Sequence, residues 1–259
     1  MNLLARILEA KRAELESEKS RLPIRRAIEM ASGALPPRSF APGLRRRDRI
    51  NVIAEVKGSA RPPENPRGGP GPVEAARACA LAGAAAISVL TDARFLNGSP
   101  SHLADVREAV DLPILRKDFL FDEYQVYRSR GLGADALLLI ARVLPPKTLT
   151  MLIGVSRSLH MEALVEVHSE EDLRKALDCG ASIIGVNNRD PDTMRVSIET
   201  SLRLAPLLPE AVTKVSVSGI GTRADLDGLR AAGYDAFLIG ERLMRDEDPG
   251  AALRSLIGS

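Results

Sequence analysis

Two lysines, two glutamates, an asparagine and an arginine stand at strand-like positions whose spacing aims them at one another. In INVIAEVK (residues 50–57), Ile53, Glu55 and Lys57 share one face by the two-residue strand period, so a carboxylate and an ammonium emerge together at its end. In PILRKDF (113–119), Leu115, Lys117 and Phe119 do the same. Glu166 follows Leu164 in EALVEV (162–167), and Gly185, Asn187 and Arg189 align in and just beyond IIGVNN (183–188). Such a set suits proton transfer and anion binding. Repulsion between lysines and partial burial lower an ammonium's pKa while glutamate neighbours raise it, so these lysines suit the roles of proton donor or anion ligand. Glu166 suits the role of general base. Exposed strand-end charges are the plainer alternative, but repeated inward charge at one end is costly without a ligand, which favours a pocket.

A second group suits phosphate. Ser218-Gly219-Ile220-Gly221 follows the run TKVSVSG, and Gly240-Glu241 follows AFLIG. Backbone amides exposed near helix starts bind phosphate. One such glycine alone reads as a turn former; two sets after the last two strands are more specific.

These residues need a scaffold that gathers strand ends. Eight apolar runs alternate with amphipathic stretches: residues 50–57, 84–91, 113–119, 134–141, 162–167, 183–188, 213–219 and 236–240. That alternation predicts parallel strands joined by crossover helices. Gly83, Gly133, Gly180 and Gly233 each end a helical stretch just before a strand. The predicted fold is α/β, a single (β/α)8 barrel, in which chemistry collects at the carboxyl ends of the strands. An open doubly wound sheet is disfavoured because no glycine-rich dinucleotide fingerprint follows the first run. Ahead of the barrel, helical periodicity runs from Leu3 to about Leu22, breaks at Pro23 and resumes from Ile24 to Ala31, with a turn-rich stretch from Gly33 to Pro42. The expected organisation is therefore a helical extension over residues 1–48, packed on a barrel over 49–259.

Composition excludes several classes of partner. A net charge of +2 gives no general basic surface for nucleic acid or membrane, and the run Arg45 to Arg49 reads as a solvated rim. Cys79 and Cys179 sit within helical stretches without metal-ligand spacing, so they are expected to fill the core. His102, His160 and His168 are expected on the surface or rim, with only His168 near the mouth, and no metal is expected. The N-terminus lacks the apolar run of a signal peptide or spanning helix, which points to the cytoplasm. A small anionic substrate is the expected partner, with the chain a monomer or weak homo-oligomer.

The segments LARILEAKRAELESEK, VIAEVK, FLNGS, LPILRKDF, ALVEVHSEEDL, GVNNRD, VSVSGI and FLIGERLMR run through nearly the whole chain. Together they resemble the indole-3-glycerol phosphate synthase family. The resemblance implies ring closure, decarboxylation and dehydration of an anthranilate-linked deoxyribulose phosphate, in tryptophan biosynthesis and without a cofactor. By that likeness Lys117 is the general acid, Glu166 the base, and Lys57 a holder of anionic groups. Glu55 positions the lysines and Asn187 orients the substrate. Phe119, Arg189, Ser218, Gly219, Gly240 and Glu241 lie on the substrate or phosphate side.

The chain departs from the family pattern near this chemistry. Val217 stands where the family has a glutamate ahead of Ser-Gly-Ile, and Ala60 and Pro62 replace hydroxyl-bearing positions after Lys57. Leu96 occupies a position where an aromatic often lines the pocket. An isopropyl group neither accepts a hydrogen bond nor carries charge. Alternatives are a divergent paralogue acting on another anthranilate-like or sugar-phosphate ligand, and a barrel that binds without catalysis.

Overall fold

The structure, a computed structural model, describes residues 3–58 and 70–258. Helix α1 (Leu3–Arg21) stops at Pro23, whose missing N–H and fixed φ suit the start of a new helix, and α2 (Ile24–Gly33) follows. The stretch read as a loop then delivers a short helix that the periodicity did not reveal, α3 (Ala41–Leu44), which carries Phe40 and Leu44 into the bottom of the barrel. Glu162 fixes it there by accepting from the backbone N–H groups of Phe40 (3.0 Å) and Ala41 (2.8 Å).

Among the described residues eight parallel strands close in chain order: β1 (Asn51–Val56), β2 (Ala86–Leu90), β3 (Ile114–Lys117), β4 (Ala136–Ile140), β5 (Glu162–Val167), β6 (Ile183–Asn187), β7 (Thr213–Val217) and β8 (Ala236–Ile239). β8 pairs back onto β1 with Asn51 opposite Ala236. The crossover helices are α4 (Pro72–Leu81), α5 (Pro100–Ala109), α6 (Glu123–Gly131), α7 (Pro146–Ser158), α8 (Glu170–Asp178), α9 (Glu199–Leu204) and α10 (Arg223–Ala231). After β8 come α11 (Glu241–Met244) and α12 (Pro249–Ile257). All eight expected runs are strands, and the four glycines before β2, β4, β6 and β8 have φ between 83° and 97°, a left-handed turn that needs no Cβ.

Strand alternation divides the core in two. Ile53, Leu115, Leu138, Leu164, Ile183, Val215 and Leu238 fill the barrel interior. Their neighbours Val52, Ile87, Ile114, Leu137, Val165, Ile184 and Phe237 pack outward under the helices. Each such side chain taken from water contributes roughly 1.5–3 kcal/mol. The interior is thus sealed below its mouth, which leaves polar residues a place only at the carboxyl ends of the strands. Cys79 and Cys179 are buried as expected, and burial pushes the Cys79 thiol up to about 12. No helix among the described residues is long and apolar enough to cross a membrane.

Candidate active site

Four strands deliver the polar cluster. Glu55 and Lys117, both on the inward face by alternation, meet across the mouth with Oε2 and Nζ 3.5 Å apart. Burial lowers the Lys117 pKa, but the Glu55 and Glu166 carboxylates outweigh it and hold the group above the ordinary lysine value, with Arg189 opposing. Glu166 is buried at the end of β5. Its Oε1 lies 3.5 Å from His168 Nε2, and its Oε2 has no hydrogen-bond partner. Asn187 ends β6, where its Oδ1 accepts from the Arg189 backbone N–H at 2.9 Å.

Two connected hollows meet at this cluster. One, about 250 Å³, is walled mainly by Leu4, Ile7, Phe95, Leu96, Phe119 and Met194, with Lys117, Glu166 and His168 at its base. The other, about 510 Å³, runs over the ends of β7 and β8 past Ser218, Gly219, Gly240 and Glu241, with Arg242 and Arg245 beside them. Leu96, Lys117, Asn187, Arg189 and Met194 line both. Arg189 spans the junction and donates to Glu241 Oε2 at 2.9 Å, and Glu241 also accepts from Arg245. An apolar chamber joined through an acid–base cluster to a basic, glycine-walled one suits a ligand with an aromatic end and an anionic end.

Most site residues expected from sequence therefore gather in one place. Lys57 is the exception: it is exposed just past β1 and lines neither hollow. Ala60 and Pro62 lie outside the described residues. Val217 is fully buried, paired in register with Asn187 and Leu238, and extends the apolar interior toward the mouth. A Cβ on Gly185 would come within 3.3 Å of its methyl, so the two are already in close packing. Gly240 is glycine for a steric reason as well, because a Cβ there would stand 2.5 Å from Glu55 Oε1. His168, the one histidine expected near the mouth, lines the apolar chamber.

A network behind the site is not evident from the sequence. Along α1 the buried positions are Leu4, Ile7, Lys11 and Leu15, so Lys11 interrupts an apolar stripe. Its Nζ lies 3.1 Å from both Asp92, after β2, and Asp118, after β3. Asp118 Oδ2 also accepts from Thr91 at 2.7 Å and Arg116 at 2.8 Å. Burial works against the Asp118 charge, yet Arg116 and Lys11 prevail and hold its carboxyl down at about 2. Asp92 Oδ1 accepts from the N–H groups of Phe95 (2.5 Å) and Leu96 (3.2 Å), fixing two wall residues. A charged residue on an apolar helical stripe was the available signal.

The sequence profile described as "Indole-3-glycerol phosphate synthase" matches residues 4–256. The chain belongs to that family. Indole-3-glycerol phosphate synthase of Roseiflexus sp. strain RS-1 is 46% identical, with 99% of this chain and 98% of that one covered. The protein of the same name from Carboxydothermus hydrogenoformans is 44% identical, covering 98% of this chain and 99% of that one. Among solved structures, 3-hexulose-6-phosphate synthase from Salmonella typhimurium superposes with a TM-score of 0.64 over 80% of this chain and 96% of that one. At 13% identity that likeness shows the barrel alone. The matched residues 4–256 take in nearly all of α1 and all eight strands.

Proposed function

We propose that the protein is a carboxy-lyase that converts 1-(2-carboxyphenylamino)-1-deoxyribulose 5-phosphate into indole-3-glycerol phosphate, carbon dioxide and water. The observation that carries this reading is the junction of the two hollows, where Lys117, Glu55, Glu166, Asn187 and Arg189 stand between an apolar chamber and a glycine-walled one. The substrate has matching parts: an aromatic carboxylate, a reacting ketone and a terminal phosphate. Its ring fits the chamber of Leu4, Ile7, Phe95 and Phe119, and its phosphate the loops at Ser218-Gly219 and Gly240-Glu241. Arg189 at the junction takes an anionic group.

The ring carbon bearing the carboxylate attacks the ketone carbon, and the ketone oxygen becomes a hydroxyl. Lys117, kept protonated by its carboxylate neighbours, donates that proton. The ring carboxylate leaves as carbon dioxide, which restores aromaticity. The hydroxyl then takes a second proton, from Lys117 once solvent has reprotonated it, and leaves as water, while the adjacent methylene carbon gives up a proton to Glu166, the base, whose buried Oε2 has no hydrogen-bond partner. Glu55 orients Lys117, and Asn187 orients the substrate. Lys57, exposed past the end of β1 and lining neither hollow, is assigned no step. No cofactor enters any of these steps.

Val217 favours a slower synthase or one with a shifted ligand, since it supplies no acceptor where it borders Asn187. Losing one preorganised polar group lowers turnover by roughly 100- to 1,000-fold. Supplying the carboxyphenylamino substrate to purified protein and measuring carbon dioxide release discriminates the readings. Release that depends on Lys117 supports the lyase; binding of substrate without release supports a barrel that binds only.

A further inference from the structure

The base needs a defined orientation, and β5 alone does not supply one. Glu166 has two free torsions beyond Cβ, and its side chain is only 6% exposed, so water does not fix it. One oxygen, Oε2, is buried and has no hydrogen-bond partner. The other faces the ring of His168, 3.5 Å from Nε2. On the far side of the ring, Nδ1 has no hydrogen-bond partner and lies 3.9 Å from Asp172 Oδ2, so the imidazole sits between two carboxylates.

The row is anchored by the start of α8. Ser169 is the N-cap, its Oγ accepting from the Asp172 N–H at 3.1 Å, and Asp172 Oδ2 accepts from the His168 backbone N–H at 3.1 Å. These bonds fix the backbone at His168 and bring the Asp172 carboxylate beside the ring. With its side chain 8% exposed, the ring has little room to turn away. Lys117 attracts Glu166 from across the mouth and would draw both oxygens toward itself if nothing held one back.

We propose that His168 is a positioning residue: through Nε2 it holds Glu166 Oε1 so that Oε2 is left free for the substrate, with Asp172 fixing the backbone from which the ring projects. This inference rests on the reading of Glu166 as the base of ring closure. Losing the hold leaves the carboxylate free to rotate toward Lys117, which acts on the chemical step and spares ground-state binding. A misplacement of about 1 Å at a reacting group costs on the order of 100-fold in rate.

Two variants separate the ends of the ring. In His168→Gln the terminal amide occupies the place of Nε2, whereas in His168→Asn the shorter amide reaches only the place of Nδ1. Steady-state kinetics on the carboxyphenylamino-deoxyribulose phosphate are measured for both, alongside thermal unfolding to match folded fractions. The expected result is kcat lowered roughly 10- to 100-fold in His168→Asn and within about fivefold of the parent in His168→Gln, with KM changed less than about threefold in each. Equal kcat in the two variants, or a loss confined to KM, overturns the positioning role. A parent protein with no turnover overturns the underlying reading of Glu166 instead, so the two failures are told apart before any variant is compared.

Discussion

Replacing Gly240 by alanine adds one methyl group and tests how tightly the Glu55–Lys117 pair is built. The new Cβ would stand 2.5 Å from Glu55 Oε1, 3.0 Å from its Cβ and 3.1 Å from its Cδ. The oxygen can swing away, but the two carbons belong to the root and middle of the side chain, so the whole of Glu55 must tilt. The backbone itself tolerates alanine, since Gly240 has φ −123°. Overpacking of this kind costs about 1–3 kcal/mol. The chemical consequence is larger, because the 3.5 Å approach of Glu55 to Lys117 is what the tilt destroys. The expected fall in kcat/KM is roughly 10- to 100-fold. The pH profile carries a signature. Glu55 is the foremost influence raising the Lys117 pKa against burial. With Glu55 displaced, burial prevails, Lys117 loses its proton at lower pH, and the alkaline limb of kcat moves down. Indole fluorescence recorded across pH 6 to 11 measures both effects. A variant with unchanged kcat/KM and an unmoved alkaline limb would refute the claim that Glu55 controls Lys117.

Three further outcomes follow from the network behind the mouth and from β7. In Asp118→Asn, stability is expected to fall by about 2 kcal/mol near neutrality, from the difference between 3.8 and about 2. Because the folded-state pKa is depressed, this contribution is present above about 4 and lost as pH falls toward 2, so urea midpoints of parent and variant should converge there. Lys11→Met removes a buried cation from Asp92 and Asp118 and is expected to cost about 3 kcal/mol while raising KM, since Leu4 and Ile7 of the same helix wall the chamber. Denaturation and steady-state kinetics check it; an unchanged KM would show that α1 does not shape the chamber. Val217→Glu, which restores an acceptor beside Asn187, is expected to raise kcat about 10-fold or more at a cost in thermal stability, and a fall in both would count against Val217 as the limiting departure.

Much of the barrel was legible because each strand carries its own signal. The alternation that buries Ile53 and Leu115 inward and Val52 and Ile114 outward also turns Glu55 and Lys117 into the mouth, so period and chemistry agree. Helix-ending glycines marked the strand starts because only a left-handed turn fits there. What was not legible depends on partners far apart in the chain. Nothing local in α1 says that Lys11 meets Asp92 and Asp118, and four residues from Ala41 are too few for a helical period to register. The position of His168 just beyond Glu166 places it near the mouth, but that the turn into α8 sets its ring 3.5 Å from Glu166 depends on contacts the local sequence does not show. Gly240 read as a phosphate loop glycine; that it also makes room for Glu55 depends on β8 pairing with β1.

Closure of an indole ring by Lys117 and Glu166 acting across one two-part hollow is the step on which the rest depends. It is tested most directly by incubating the purified protein with 1-(2-carboxyphenylamino)-1-deoxyribulose 5-phosphate and following indole fluorescence, with Lys117→Met in parallel. The expected result is steady formation of indole-3-glycerol phosphate by the parent and loss of at least 100-fold in the variant. No product from the parent at high protein concentration, or equal rates from both, would contradict it.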